Sequence, residues 1–509
     1  MNVARRPVVL LLVAVTLLTL GALALRAQYL RGPDGTLGED ESRLALAASG
    51  ILAHGIPIMP SGKLYLRGAV NSYLTAASLA ALGRHDHAVR LPNVLVGALL
   101  VPILFLFGRE LAGTTAGLCV AAFGAVQPEL IQWSADGWMT SLFIVVFVAT
   151  AYLCHLAFIR DRHRLQPLAA LAIALTVLAH ELGVLLVAAV VVTVGIRFLR
   201  RDMGWHAGRR TVASLVLVAA CAGLFVALGL FLRSGTVAGA GGEFAHYVGP
   251  SLDGGRFTRD YNRWSGDYLP LALAAAIGFV LAISRARANG LLLFVTTAIA
   301  GISIWVLIAK SSTRYGLLLL PLIALAAAWA IAQLAAALAR WRQLDQSTAN
   351  RIAAGGLLLC FAFAVRGDVR EALTPAGIPT STWVTELKPL GFTAGDAVLS
   401  DNPEIPAFYL GTVQYWLRMA NFERYTFRDG NRLRHLYTGA TQVGSAEEFY
   451  HRLRESGVRT LWYLGSEESD DFAPGMEEWL TAAAATRRLT EDGFVILRID
   501  VATLPPPPG

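Results

Sequence analysis

The chain has 509 residues, of which 55% are hydrophobic and only 16% charged, and its mean hydropathy is +0.53. Soluble domains average about 25% charged residues, so an ordinary soluble enzyme is excluded and a polytopic membrane protein is expected. The 48 glycines and 21 prolines are aperiodic and too few for collagen or a disordered polymer.

A net charge of +7 and a pI near 9.4 would point to nucleic acid only if the basic residues formed one face or stripe. They do not. The arginines fall in short islands between apolar runs: Arg5 and Arg6; Arg84 and Arg90; Arg160, Arg162 and Arg164; Arg197 to Arg210; Arg285 and Arg287; Arg340, Arg342 and Arg351. Cytoplasmic loops look like this under the positive-inside rule, so no nucleic-acid partner is expected. Cys119, Cys154, Cys221 and Cys360 all sit inside apolar runs, and no disulfide framework or zinc motif is encoded.

The first apolar run, Val8 to Leu25, follows Arg5-Arg6 without a small-residue cleavage pattern and reads as a retained first crossing with an extracytoplasmic exit. A polar outer loop follows, residues 28–68, with Glu39-Asp40-Glu41 leading into a short helix from Ser42 to Ala53 that His54-Gly55 and Pro57 end. Further apolar runs at 69–83, 91–108, 114–127, 137–159, 167–180, 182–199, 211–232, 268–284, 290–309, 315–337 and 352–365 predict about 11–13 transmembrane helices. If every run crosses, the arginine islands beyond 160 face the wrong side. Runs 69–83 and 114–127 are shorter than the roughly 17 residues a crossing needs. The sequence reading takes 114–127 as the incomplete one, which puts Asp40 and Asp136 on one face and makes His180-Glu181 the outer tip of a hairpin.

After residue 366 the composition turns acidic, and strand-like runs at 396–400, 459–464 and 494–499 alternate with helical stretches at 446–456 and 476–486. The expected organisation is a transmembrane domain over 1–366, a small extracytoplasmic α/β domain over 367–504, and a disordered proline tail over 505–509.

Few residues can carry chemistry. Glu39, Asp40 and Glu41 could simply cap a helix and complement its dipole. Arg43, three residues beyond Asp40, and Arg67 at the end of the loop also make a carboxylate and guanidinium set suited to activating a hydroxyl and holding a phosphate. Asp136 opens an apolar run and is either a helix cap or a second acid. His180 and Glu181 interrupt an apolar hairpin, where ionisable groups usually line a cavity, but the pair alone specifies no metal. Lys310 and Arg314, beside Tyr315, either contact an anionic head group or snorkel to the membrane edge. The charged loop 234–266 could cover a substrate or be merely solvated.

The stretch Asp40-Glu41-Ser42-Arg43, with Ala47, Ile51, Leu52, His54-Gly55, Pro60, Gly62 and Tyr65, resembles the first outer loop of GT-C fold, polyprenyl-phosphate-dependent glycosyltransferases. Within these it is similar to the protein O-mannosyltransferase and aminoarabinose lipid A transferase group. The similarity continues in Arg90-Leu91-Pro92-Asn93, in Gly108-Arg109-Glu110-Leu111-Ala112-Gly113 and in Trp133-Ser134-Ala135-Asp136, over roughly the first 200 residues. It implies Asp40 as catalytic base, Arg43 as a ligand of the donor phosphate and Asp136 as the second-loop aspartate. After the tyrosine the aminoarabinose branch has Glu-Lys-Pro-Pro, whereas here Tyr65 precedes Leu66-Arg67-Gly68-Ala69; Arg67 then stands in for the lysine, displaced by one position.

The implied protein is an inner (plasma) membrane glycosyltransferase that moves a sugar from a polyprenyl-phosphate donor, among membrane lipids, to a hydroxyl of a protein, glycan or lipid acceptor, with no cofactor indicated. The alternative is a transporter or flippase of lipid-linked sugars, which predicts inverted repeats and ionisable residues at the bilayer midplane. The sequence shows no repeat, and its ionisable residues gather at membrane boundaries.

Overall fold

The computed structural model describes residues 6–31, 37–202, 213, 216, 266, 268–284, 289–304, 313–366, 383–417, 425–466, 475–490 and 493–507. Two compact units divide the chain: one comprises the described parts of 1–29, 93–227 and 245–376, the other those of 30–92 and 377–509. The outer loop thus groups with the C-terminal residues, whereas the sequence places a single boundary at 366.

The helices in chain order are α1 Arg6–Ala27, α2 Glu39–His54, α3 Ala69–Leu82, α4 Asp86–Ala112, α5 Thr114–Val126, α6 Pro128–Ala135, α7 Thr140–Cys154, α8 Gln166–Ala179, α9 Val184–Leu199, α10 Leu269–Ser284, α11 Leu291–Ile302, α12 Leu319–Trp341 and α13 Gln346–Val365. Among the described residues, six are long and apolar enough to cross a membrane: α1, α4, α7 with the π turn His155–Ile159, α9 with the turn before it, α12 and α13. Helices α5 and α6, bent by 53° where they meet, make a seventh if counted together, and α3, α8, α10 and α11 are shorter apolar helices. The predicted run 211–232 lies almost wholly outside the described residues, as does the charged loop 234–266. The chain is a multi-pass, mostly helical membrane protein with a C-terminal α/β domain.

The helical unit is held by close approach and aromatic layering. The Phe123 and Phe361 rings stack with centroids 4.6 Å apart, and Phe294 meets Trp329 edge-on at 5.2 Å. Where α4 passes α5, a Cβ on Gly117 would stand 2.7 Å from the Phe105 carbonyl oxygen and 2.8 Å from the Arg109 nitrogen. Backbone cannot yield as a flexible side chain can, so small residues are required at this crossing. Gly117→Val is expected to cost about 1–3 kcal/mol by overpacking, read as a lower midpoint of thermal unfolding in detergent.

The bend between α5 and α6 follows from Pro128. Proline donates no backbone hydrogen bond, so carbonyls at the end of α5 lose their helical partners. Arg26 of α1, fully buried, supplies them: Nη2 donates to the Gly124 carbonyl at 3.1 Å and Nη1 to that of Ala125 at 3.4 Å, while Nε donates to Ser134 Oγ at 3.1 Å. A buried cation thus does what water cannot do in an apolar bundle.

The contacts bear on the predicted crossing pattern. Glu41 of α2 binds Arg90, and Arg84 donates to the Ala407 carbonyl at 3.5 Å with its guanidinium 4.8 Å over the Phe408 ring, so both flanks of α3 lie in the same unit. Helix α3 has 14 residues, about 21 Å of rise, too short for a hydrocarbon core about 30 Å thick. At the far end of α4, Glu110 pairs with Arg160 at 2.6 Å, which puts that end beside the island after α7. Run 69–83 is therefore a second candidate for the incomplete crossing, beside 114–127, whose helix forms a bent pair with α6. The Arg84 and Arg90 island is a set of ion-pair and packing partners, not a free cytoplasmic loop.

In the other unit the strands are β1 Ala397–Ser400, β2 Tyr415–Leu417, β3 Thr426–Asp429, β4 Arg432–His435, β5 Thr441–Val443, β6 Thr460–Ser466, β7 Ala484–Leu489 and β8 Phe494–Asp500. They form one sheet in the order β3-β4-β5-β2-β1-β6-β8-β7, parallel across β5-β2-β1-β6 and antiparallel at both margins. The central strands β1 and β6 are buried on both faces, as parallel strands usually are. Among the described residues, besides the short helix Trp383–Leu387, three helices accompany the sheet: α14 Glu404–Leu410, α15 Ala446–Ser456 and α16 Met476–Ala483. The helix predicted to reach 486 stops at Ala483, and Ala484 begins β7. The predicted disordered tail is tied at its start, where the Pro505 carbonyl accepts from Trp479 Nε1 at 3.0 Å.

Candidate active site

Helix α2 begins at Gly38, whose extended backbone (φ −74°, ψ 174°) lets the chain enter the first turn. Glu41 reaches back to accept the Gly38 N–H at 2.9 Å and takes Arg90 through Nε at 2.7 Å and Nη2 at 2.9 Å. Glu41 is buried, and this two-pronged pair fixes the start of α2 against α4.

One turn on, Arg43 gathers three carboxylates. Helical spacing places it beside Glu39 and Asp40: Nη2 donates to Glu39, and Nη1 to Asp40 Oδ1 at 3.1 Å. Glu404 comes from the first turn of α14, at the carboxyl end of β1, and its Oε1 accepts from Arg43 Nη2 at 2.9 Å and Nε at 3.3 Å. The Tyr437 and Tyr425 rings lie 4.4 and 5.7 Å from the guanidinium carbon. His435 Nε2 stands 3.6 Å from the same Glu404 oxygen, its Nδ1 accepting the Thr438 N–H at 3.3 Å. Side-chain exposure separates the roles: Arg43 is 4% exposed and Glu404 1%, whereas Asp40 keeps 32% and Glu39 46%.

Three carboxylates about one guanidinium leave an acidic surplus. Burial lowers the proton affinity of Arg43, but Tyr437 and the acids Glu404, Glu39 and Asp40 outweigh it and hold the pKa well above the ordinary arginine value. Glu39 moves up, first through burial and then through repulsion from Glu404, against the opposing pull of Arg43. A carboxyl whose folded pKa exceeds its unfolded one adds stability that is complete below the unfolded pKa and is lost as pH rises through the folded one. Relative to Glu39→Gln, the wild-type protein is therefore expected to lose thermal stability as pH climbs above 4.5, the ordinary value. Unfolding midpoints that stay parallel across that range would refute the shift.

Two further contacts bind α14 to the loop. Tyr409 donates to Asp86 Oδ1 at 2.5 Å and accepts the Leu37 N–H at 3.1 Å. Burial first, then the Asp86 charge, pushes the Tyr409 phenol above its usual range, so it remains a donor.

The sequence-predicted residues are distributed as follows. Asp40, Glu41, Arg43 and Arg67 lie in the unit with the sheet; Arg67 is half-buried, just before Gly68, whose left-handed backbone (φ 63°) opens α3. Asp136, His180 and Glu181 belong to the helical unit. Asp136 is half-buried between α6 and α7; its Oδ1 accepts the Trp138 N–H at 3.0 Å and its carbonyl accepts from Asn93 Nδ2 at 3.1 Å. His180 is buried, Nδ1 accepting the Leu182 N–H at 3.1 Å and lying 3.5 Å from Glu181 Oε2, with the Phe143 ring at 4.7 Å and that of Tyr315 at 5.9 Å. Lys310 and the side chain of Arg314 lie outside the described residues. Among the described residues no group of three or more His, Cys, Asp or Glu is placed to hold a metal ion.

Sequence reasoning missed Glu404, His435 and Tyr437. Glu404 follows β1 and could have been read as a helix-start acid, but nothing in the chain ties it to a residue 361 positions earlier. For Arg43 the structure shows a guanidinium whose donors already serve carboxylates, a different environment from the expected phosphate contact.

The sequence profile of the family described as dolichyl-phosphate-mannose-protein mannosyltransferase matches residues 67–230. A search of curated proteins finds no match. Among solved structures the chain is similar to ArnT from Cupriavidus metallidurans in the apo state (TM-score 0.61, 13% identity, 99% of this chain and 100% of that one). It is equally similar to ArnT from the same organism bound to undecaprenyl phosphate (TM-score 0.60, 14% identity, 99% and 100%). The archaeal oligosaccharyltransferase AglB from Archaeoglobus fulgidus, in complex with an inhibitory peptide and a dolichol-phosphate, follows at TM-score 0.58 and 12% identity, over 97% of this chain and 75% of that one. The resemblance to GT-C glycosyltransferases read from the sequence holds in the profile match and in the fold.

Proposed function

We propose that the chain transfers a sugar from a polyprenyl phosphate to an acceptor hydroxyl, with Asp40 as the base. The observation that carries this reading is the partly exposed Asp40 carboxylate, anchored by a buried Arg43 whose charge is fixed by a residue of the C-terminal domain. The chemistry asks for little else. One base removes the acceptor proton, and the leaving phosphate is already a stable anion needing no strong acid. A single displacement inverts the anomeric centre.

Arg43 is the positioning residue of this site: it orients Asp40, and the acids around it disfavour a second anion there. The donor phosphate falls instead to Arg67, a cation of the same unit, where charge stabilisation of this kind is worth about 3 kcal/mol. In the helical unit, Asp136 on the break between α6 and α7 is the other candidate acid, and His180 and Glu181 are candidate cavity-lining residues. The ArnT and AglB structures with undecaprenyl phosphate and dolichol-phosphate support the donor class.

By the positive-inside rule the arginine islands at 160–164 and 197–201 mark the cytoplasmic side, and we assign the loops that hold Asp40, Asp136 and His180 to the other side. That side is extracytoplasmic, and we assign the C-terminal domain to it and the protein to the plasma membrane. The test is incubation of the full chain in nanodiscs with a panel of polyprenyl-phosphate sugars and cell-envelope acceptors, followed by mass analysis. Release of polyprenyl phosphate with a glycosylated protein, glycan or lipid is expected. Donor that crosses the bilayer intact, with nothing glycosylated, would replace this reading with lipid-linked sugar transport.

A further inference from the structure

Beside the Arg43 cluster the sheet unit holds an open cleft of about 870 Å³ that the proposed chemistry does not use. One wall is the turn between β4 and β5, Thr438-Gly439, pressed against Pro60-Ser61 of the loop that follows α2. Ser61 is pinned there, its N–H donating to the Tyr437 carbonyl at 3.1 Å and its Oγ to that of Leu436 at 2.5 Å. A Cβ on Gly439, already at φ 75°, would come within 3.3 Å of the Ser61 Cα, so the turn and the loop fit only as they stand. Tyr437 itself covers Arg43, and the cleft is thus one residue from the catalytic cluster.

The lining is polar with two rings, Tyr415 and Phe427. Its charges differ in how they are used. Arg434 Nε is 2.8 Å from Asp429, and Arg452 is bound to Glu448 on its own helix. Arg432 and Glu455, both exposed, have no side-chain hydrogen bond or ion pair among the described residues. An uncommitted guanidinium selects an anionic group. An uncommitted carboxylate with serine and threonine hydroxyls nearby selects a ligand rich in donors, and aromatic faces select flat C–H surface. A bare phosphate satisfies only the first requirement. A peptide would need either a free strand edge or apolar pockets; β5 and β2 are paired on both sides, and the marginal strand β3 carries the charged Arg428 and Asp429, which oppose strand addition. All three requirements meet in a sugar that carries an acidic group.

We propose that this cleft binds an anionic carbohydrate through Arg432 and Glu455 and, on the transferase reading, holds part of the acceptor. The probes are the disaccharide glucuronosyl-N-acetylglucosamine, its neutral glucosyl counterpart, and inorganic phosphate, each titrated into the full chain in nanodiscs without donor. The acidic disaccharide should bind best. Arg432→Ala should weaken it about tenfold, the size of one charge-assisted hydrogen bond, and leave the neutral one unchanged. Glu455→Ala should weaken both sugars, and Arg428→Ala, on the same hairpin but off the cleft, neither. No saturable binding of either disaccharide, equal binding by Arg432→Ala, or phosphate binding as tight as the acidic sugar overturns the proposal. Because no donor is present, binding without any transferase activity would sink the proposed function and leave the cleft, and transfer without binding would do the reverse.

Discussion

Asp40→Asn is expected to slow sugar transfer about 10²- to 10⁴-fold, the contribution of a positioned general base, while the protein folds as before. Asparagine keeps the shape of the side chain and an oxygen where Arg43 Nη1 now donates at 3.1 Å. The guanidinium stays compensated, because Glu39 and Glu404 remain. The carboxylate lost is one-third exposed, so little burial energy changes. Donor affinity should hold, since the phosphate is assigned to Arg67. The measurement is single-turnover transfer at saturating donor, beside Glu39→Gln as a variant that removes a neighbouring charge without removing the base. Turnover near wild type in Asp40→Asn, with a large loss in Glu39→Gln, would transfer the role to Glu39.

Hydropathy made the class legible, and the alternation after 366 made the sheet legible: strands expected at 396–400, 459–464 and 494–499 appear as Ala397–Ser400, Thr460–Ser466 and Phe494–Asp500. What misled was charge used as a topology signal. Arg84 and Arg90 look like an island because sequence shows only spacing, yet their partners, Phe408 and Glu41, lie 324 and 49 residues away. Once they count as ion-pair partners, the short run 69–83 needs no crossing. Run 114–127 does not end the helical path, which continues past Pro128 through a bend whose open carbonyls Arg26 satisfies. A lone arginine at the end of a first crossing gives no hint of that task.

The candidate site was legible in one half. Asp40 and Arg43 are three residues apart on a helix, and helix geometry alone makes them neighbours. The other half comes from the turn after β1 and the hairpin of β4 and β5, and only the parallel sheet order β5-β2-β1 brings Glu404, His435 and Tyr437 round one guanidinium. No local pattern encodes such a meeting. The consequence is that residues of the C-terminal domain complete the Arg43 cluster, and the weight of that contact is open to a direct energetic test.

Glu404→Ala is expected to destabilise the protein by about 1–3 kcal/mol, because it removes the buried acceptor of Arg43 Nε and leaves that donor unsatisfied. Arg43 cannot leave for solvent, being 4% exposed, and its remaining partners Glu39 and Asp40 are the solvent-facing ones. Glu404→Gln should cost less, since an amide oxygen can still accept from Nη2 and Nε. A double variant, Arg43→Met with Glu404→Leu, separates stability from function. Replacing both charges by apolar side chains of similar bulk should recover most of the unfolding midpoint, as buried ion pairs replaced this way often do. Transfer should not recover with it, because Asp40 has then lost the donor that orients it. Recovery of stability and of transfer together would show that the Arg43 and Glu404 pair only fills space, and that Asp40 is held by other means.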